Sequence, residues 1–199
     1  MIRAMVQAHR FLNLYPISWR PISPCQTKNG FCFHFEAFDF PCCCLRPHCF
    51  GPPLAPRAPS GGVQIVNNMS EDVYLWSVSD SSSEMQTIPT GASYIENWRT
   101  NPNGGGISIK MSTGADLASV LQFEYTEAGE TLFWDLSSIN LSPQSPLIAA
   151  GFGVSIDDAS CPTAACAPGD VNCAESYQFP DDHNTRACGT GAGFTLTLG

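Results

Sequence analysis

Five segments of this chain alternate apolar and polar residues with a period of two, and that period restricts the fold most. In ISIKMS, Ile107, Ile109 and Met111 fall on one side, and Ser108, Lys110 and Ser112 on the other. LQFEYT sets Leu121, Phe123 and Tyr125 against Gln122 and Glu124, and TLFWDLS sets Leu132, Trp134 and Leu136 against Phe133 and Asp135. FGVSI and FTLTL repeat the scheme. Each reads as a half-buried strand. The stretches NPNGGG, EAGE and SPQSP between them are turn sequences. Seventeen glycines and sixteen prolines leave little room for helix, and only GADLASVL offers a helical turn. The class is all-β, with a sandwich as the expected architecture.

The alternation also places the charges. Lys110 and Glu124 share strands with clean apolar faces, so both point away from that core, where a charge is ordinarily solvated surface. Asp135 has the parity of Phe133, so its strand is either covered on both sides or ends at a rim.

Two kinds of sequence meet near residue 60. Residues 1–60 carry six Lys/Arg against two Asp/Glu, whereas residues 61–199 carry three against sixteen. A body this acidic repels phosphate backbones and excludes a nucleic-acid partner. It is equally unsuited to anionic lipid, and no apolar run is long enough for a membrane span. The first segment holds six cysteines, including Cys42-Cys43-Cys44, without the paired short spacings of a zinc site. Residues 1–61 are read as a disordered, Pro/Cys-rich leader or mistranslated segment plus linker, without a convincing signal peptide. The folded domain is expected at 62–199.

The other four cysteines, Cys161, Cys166, Cys173 and Cys188, lie within the last forty residues. They lack the knuckles of a structural zinc site, so no metal is expected. Two disulfides closing a loop-rich excursion fit better, and four cysteines allow three connectivities. Disulfides imply an oxidising compartment, hence an extracellular or cell-wall location. The sequons at Asn68 and Asn140 agree with secretion.

Taken in order, VQIVNNMSEDVYLWSVS, GGGISIKMS, LQFEYT, LFWDLSSIN, GFGVSI and CAESYQFPDDHNTRAC resemble the blocks of thaumatin-like proteins. The match is nearest to the small fungal branch of CetA-like proteins and yeast-phase-specific antigens. This resemblance implies a flattened β-sandwich with a small disulfide-linked second lobe. It also implies the pairing Cys161–Cys188 and Cys166–Cys173. The larger family ties its first strand to its last residue by a further disulfide; here Met69 and Gly199 stand in those places.

The same resemblance implies an acidic cleft between the lobes. Glu124 and Asp135 match two of its carboxylates, Asn140 replaces a third, and Asp182, with Asp181 beside it, matches another. Lys110 is the nearest counterpart of the basic member. Tyr177 and Phe179 could stack on sugar rings or form the core of the second lobe, and Trp98, before a turn, is the tryptophan expected to be exposed.

Three functions follow as expectations. The first is a non-catalytic, monomeric binder of β-glucan or another cell-wall polysaccharide. The second is a weak endo-β-1,3-glucanase with Glu124 and Asp135 as its carboxylate pair. The third is a secreted antigen or effector that binds a host protein. None calls for a cofactor.

Overall fold

The computed structural model describes residues 59–199, so the reading of the leader falls almost wholly outside the described residues. Eleven strands form two sheets among these residues. They are β1 (Gly62–Asn67), β2 (Val73–Val78), β3 (Gln86–Ile88), β4 (Ser93–Asn97), β5 (Ile107–Ser112) and β6 (Leu121–Ala128). β7 (Thr131–Ser137), β8 (Phe152–Ile156), β9 (Ala164–Cys166), β10 (Arg186–Gly189) and β11 (Gly193–Leu198) follow. One sheet runs β4-β1-β11-β8-β9 and the other β10-β7-β6-β5-β2-β3. All pairs are antiparallel except β1 with β11, which brings the start of the domain beside its end.

The apolar halves of the alternating segments meet between the sheets. Ile107, Ile109, Met111, Leu121, Phe123, Leu132, Trp134 and Leu136 face Val63, Ile65, Phe194, Leu196 and Leu198 in one core. Trp134 is fully buried at its centre, edge-on to Phe194 and stacked on Phe123. Fully burying a side chain of this kind contributes roughly 1.5–3 kcal/mol, which is why strict alternation settles which face turns inward.

The expectation for Trp98 is corrected. Its ring packs against Phe123, Tyr125 and Phe194 with centroids 4.9–6.4 Å away. The turn that follows does not carry it outward, because Trp98 N–H donates to Gly61 O and holds the backbone along β1. GADLASVL forms bends rather than a helical turn. The short helix α1 (Pro146–Ala150) lies instead just after the SPQSP turn. Ser145 caps it by accepting from Leu147 N–H, and Pro146 opens the first turn, where a missing N–H costs nothing.

Both disulfides have the expected partners, Cys161–Cys188 and Cys166–Cys173. The first ties the segment after β8 to β10; the second closes the loop that follows β9. β9 borders one sheet and β10 the other, so the cross-linked excursion passes between the two sheets. Met69 and Gly199 do lie together: a Cβ built on Gly199 would sit 3.3 Å from Met69 Cγ. Apolar contact and the hydrogen bond from Asn68 N–H to Leu198 O hold this junction.

The β6–β7 hairpin positions the site. Ala128 pairs with Thr131, leaving Gly129 and Glu130 as a two-residue loop, and Gly129 has φ +65°. Tight turns of this kind need a left-handed first residue to match the strand twist. The turn fixes the register, and that register sets Glu124 directly opposite Asp135.

Candidate functional site

The polar residues of the six-stranded sheet form a grid on the face opposite the core. One row crosses the sheet as Trp76, Lys110, Gln122 and Ser137, each paired with the next. It continues through a parallel bridge from Ser137 to Tyr177 in the disulfide-linked excursion. The next row is Val78, Ser108, Glu124 and Asp135. A third holds Thr126, Phe133 and Ala187. Rows are separated by two residues along each strand, about 7 Å.

Five of the seven cleft residues expected from the sequence thus share this face: Lys110, Glu124, Asp135, Asn140 and Tyr177. Asn140 joins it through Gln122, whose Nε2 lies 3.5 Å from Asn140 Oδ1 and 3.4 Å from Ser137 Oγ. Ser108 Oγ donates to Gln122 Oε1 at 3.3 Å. Gln122 is therefore the buried centre of the network; the alternation set it beside Glu124, but it was not among the expected site residues. Its parity with Glu124 was the available signal.

Asp135 is the buried carboxyl of the face. Only 9% of its surface is exposed, and its Oδ1 is buried with no hydrogen-bond partner. Burial pushes its pKa up to about 7, helped by the charge of Glu124 and opposed by Arg186. Glu124 is half-buried; desolvation raises its pKa, while Ser108 and Lys110 pull the other way. Neither carboxyl is ordinary solvated surface. The second sheet of the sandwich lies on the other face; the excursion covers the β7 edge beside Asp135.

That cover is built from backbone bonds. Tyr177 N–H donates to Leu136 O, and Ser138 N–H to Tyr177 O, both at 2.8 Å. Further along the same edge of β7, Arg186 pairs with Trp134 and Cys188 with Leu132. Asp135 lies between these two attachments, and residues 178–185 arch across the gap. Tyr177 Oη and Thr185 Oγ1 share a 2.8 Å hydrogen bond that ties the ends of the arch.

Inside the arch, Asp182 Oδ2 accepts from the N–H groups of Gln178 and Phe179 at 2.8 and 2.9 Å. These bonds hold its carboxyl below the usual range. Asp182 is thus engaged with its own loop, and Asp181 beside it is exposed. Phe179, at 65% exposure, is not core of the lobe, whereas Tyr177 is half-buried. Arg186 was also missed from the sequence. Its guanidinium lies 5.2 Å from the Trp134 ring centroid, pairs with Glu175, and is the cation whose field reaches Asp135. Both sequon asparagines, Asn68 and Asn140, are exposed.

Residues 54–199 match the family model described as Blastomyces yeast-phase-specific protein, most of the chain. The chain belongs to this family. It is 65% identical over 145 residues to the secreted thaumatin-like protein calA of Emericella nidulans, covering 73% of this chain and 85% of that protein. It is 42% identical over 141 residues to an antigenic thaumatin-like protein of Arthroderma benhamiae, covering 68% and 71%. These relatives place it in a fungal thaumatin-like branch of secreted proteins, and neither name states a catalytic activity. Among solved structures, the protein elicitor MoHrip2 of Magnaporthe oryzae superposes with a TM-score of 0.57. It is 23% identical, over 69% of this chain and 97% of that one, and shares the fold.

Proposed function

We propose that this member of the family is an extracellular protein that binds a neutral wall polysaccharide, a β-glucan, without cleaving it. The observation that carries this reading is the burial of Asp135. A glycosidase needs two carboxyls that both reach the scissile bond, one protonated and one ionised. Asp135 is 9% exposed and has one oxygen sealed from solvent. Buried in this way, it serves as a wall behind Glu124 rather than as the acid, nucleophile or base of a cleavage step.

The rest of the face suits sugar hydroxyls. Lys110 donates, Glu124 accepts, and the amide of the exposed Asn140 does both, while the buried Gln122 holds Asn140 and Ser108 from beneath. The two disulfides and the secreted relative support an extracellular setting.

The hydrolase reading stands second, favoured by the raised pKa values of the Glu124–Asp135 pair. One paired assay separates the two. Wild type and Glu124→Gln are incubated with insoluble β-1,3-glucan, and both protein depletion and released reducing sugar are recorded. Binding without cleavage predicts depletion of both proteins and no sugar. Sugar released by wild type alone would establish the hydrolase. Neither depletion nor sugar would remove both carbohydrate readings and turn attention to a protein partner.

A further inference from the structure

Resting on the polysaccharide reading above, we propose that the binding face extends past the carboxylate pair as a path for a glucan chain. It runs along β6 and β7, over Phe133, to a cavity beside the Gly104–Gly105 turn. The ligand class is an extended, uncharged polysaccharide segment rather than a chain end or a single sugar.

Phe133 is the first observation. It lies on the polar face, two residues from Asp135, and is 37% exposed. Its cross-strand neighbours are Thr126 on one side and the exposed Ala187 on the other. Both are small, so neither covers the ring fully, and part of it reaches solvent. A lone exposed apolar residue is ordinary on a protein surface. This one continues a row of polar groups, which is what a sugar ring with one apolar face and a polar rim requires.

The cavity is the second observation. It has a volume of about 220 Å³ and is lined by Arg99, Thr100, Asn101, Thr126 and Glu127, among others. Thr126 belongs to both the cavity and the Phe133 row, so the two features are continuous. Gly104 and Gly105, with φ +85° and +88°, line the cavity without side chains. Arg99 is already engaged, with Nε 3.5 Å from Glu96 Oε1 and Nη2 donating to Ser77 Oγ. With that cation neutralised and Glu127 present, the cavity does not select an anion. The hydroxyls of Thr100 and Thr126 remain beside Ile107 and Tyr125, while the Asn101 amide is held by Asp80 and Asn103, and this mixed uncharged lining fits a polyol.

The geometry sets the length. From the row of Lys110 and Gln122 to the row of Thr126 and Phe133 the strands advance four residues, about 13 Å. The cavity lies beyond that point. A short oligosaccharide seated by Lys110 and Asn140 does not reach Phe133, whereas a longer one does.

The test is calorimetric titration of the full chain with linear β-1,3-glucan oligosaccharides of two to six sugars. Wild type, Phe133→Ala, Phe133→Tyr and Lys110→Ala are compared. The path predicts that wild-type affinity rises with oligosaccharide length. It predicts that Phe133→Ala weakens the longest ligand about tenfold, the scale of one aromatic contact, and leaves the shortest unchanged. Phe133→Tyr restores the long-ligand affinity, and Lys110→Ala weakens all lengths alike. Length-independent wild-type binding, or an unaffected Phe133→Ala, would overturn the path while leaving the polysaccharide reading intact. Equal weakening of every length by Phe133→Ala would also overturn it, since the ring would then belong to the short site. Absence of binding to both the oligosaccharides and the insoluble glucan would overturn the polysaccharide reading itself.

Discussion

Asp135→Asn should make the protein more stable, and only above a particular pH. In the folded state the carboxyl titrates near 7 rather than at its ordinary 3.8, chiefly because it is buried and secondly because Glu124 lies opposite. Between those two values the folded chain holds a proton that the unfolded chain has released. The folded state binds more protons, so stability falls as pH rises across this window. Below about pH 4 there is no penalty; above about pH 7 it is fully present. A displacement from 3.8 to about 7 corresponds to about 4 kcal/mol at most. Relaxation and water entry reduce it, so roughly 2–4 kcal/mol is expected.

Asparagine has nearly the same shape and no ionisation. At pH 4 it replaces one neutral group by another, and the two proteins should agree within about 1 kcal/mol. At pH 8 the variant should be the more stable by the full penalty. Urea unfolding at pH 4, 6 and 8, with the disulfides intact, measures this directly, and unchanged slopes would show that stability alone has moved. The other titrating groups, Glu124 among them, are present in both proteins, so the difference between the two stability curves reports on Asp135. A variant less stable than wild type at pH 8, or a stability difference that does not change with pH, would refute the reasoning.

Other perturbations test the scaffold. Gly129→Ala should cost about 1–2 kcal/mol, because the added Cβ meets nothing within 4 Å and only the left-handed backbone is penalised; an unchanged Tm would contradict this. Replacing both Cys161 and Cys188 by Ser should destabilise by roughly 3.5 kcal/mol, and the same change at Cys166 and Cys173 by roughly 2.4, from the 27- and 7-residue separations. Denaturant titration of the two double variants should preserve that order. Tyr125→Phe removes the 2.6 Å bond that the buried phenol donates to Glu96 Oε1, leaving Arg99 Nε at 3.5 Å as the other partner of that oxygen. A loss of roughly 1–3 kcal/mol is expected, and thermal unfolding that shows none would mean water replaces the phenol.

The inward face of the sandwich was legible because alternation and burial are one statement made twice. Ile107, Phe123, Trp134 and Leu196 are apolar at the parity that the core requires, and each is buried. Strand partners were less legible. The parallel pairing of β1 with β11 joins segments more than a hundred residues apart, and nothing local in GVQIVN points to GFTLTL. Trp98 was misjudged for a related reason: a turn follows it, but its ring is claimed by Phe194 from the far end of the chain.

The carboxylate pair shows where sequence reasoning about the site stopped. Parity put Glu124 and Asp135 on the outward face, and outward ordinarily means wet. Whether it does depends on what lies over the face, and that is decided by residues forty to sixty positions later. The bonds from Tyr177 and Ser138 lay the excursion along β7, and the Cys161–Cys188 bridge secures its return through β10. Remove that cover and Asp135 becomes a solvated carboxylate of ordinary pKa on a polar sheet. With the cover in place it keeps its proton to about pH 7, and Glu124 is the more exposed carboxyl of the pair. The excursion thus does more than border the pair: it buries the carboxyl on which the proposed reading of a binding surface rests.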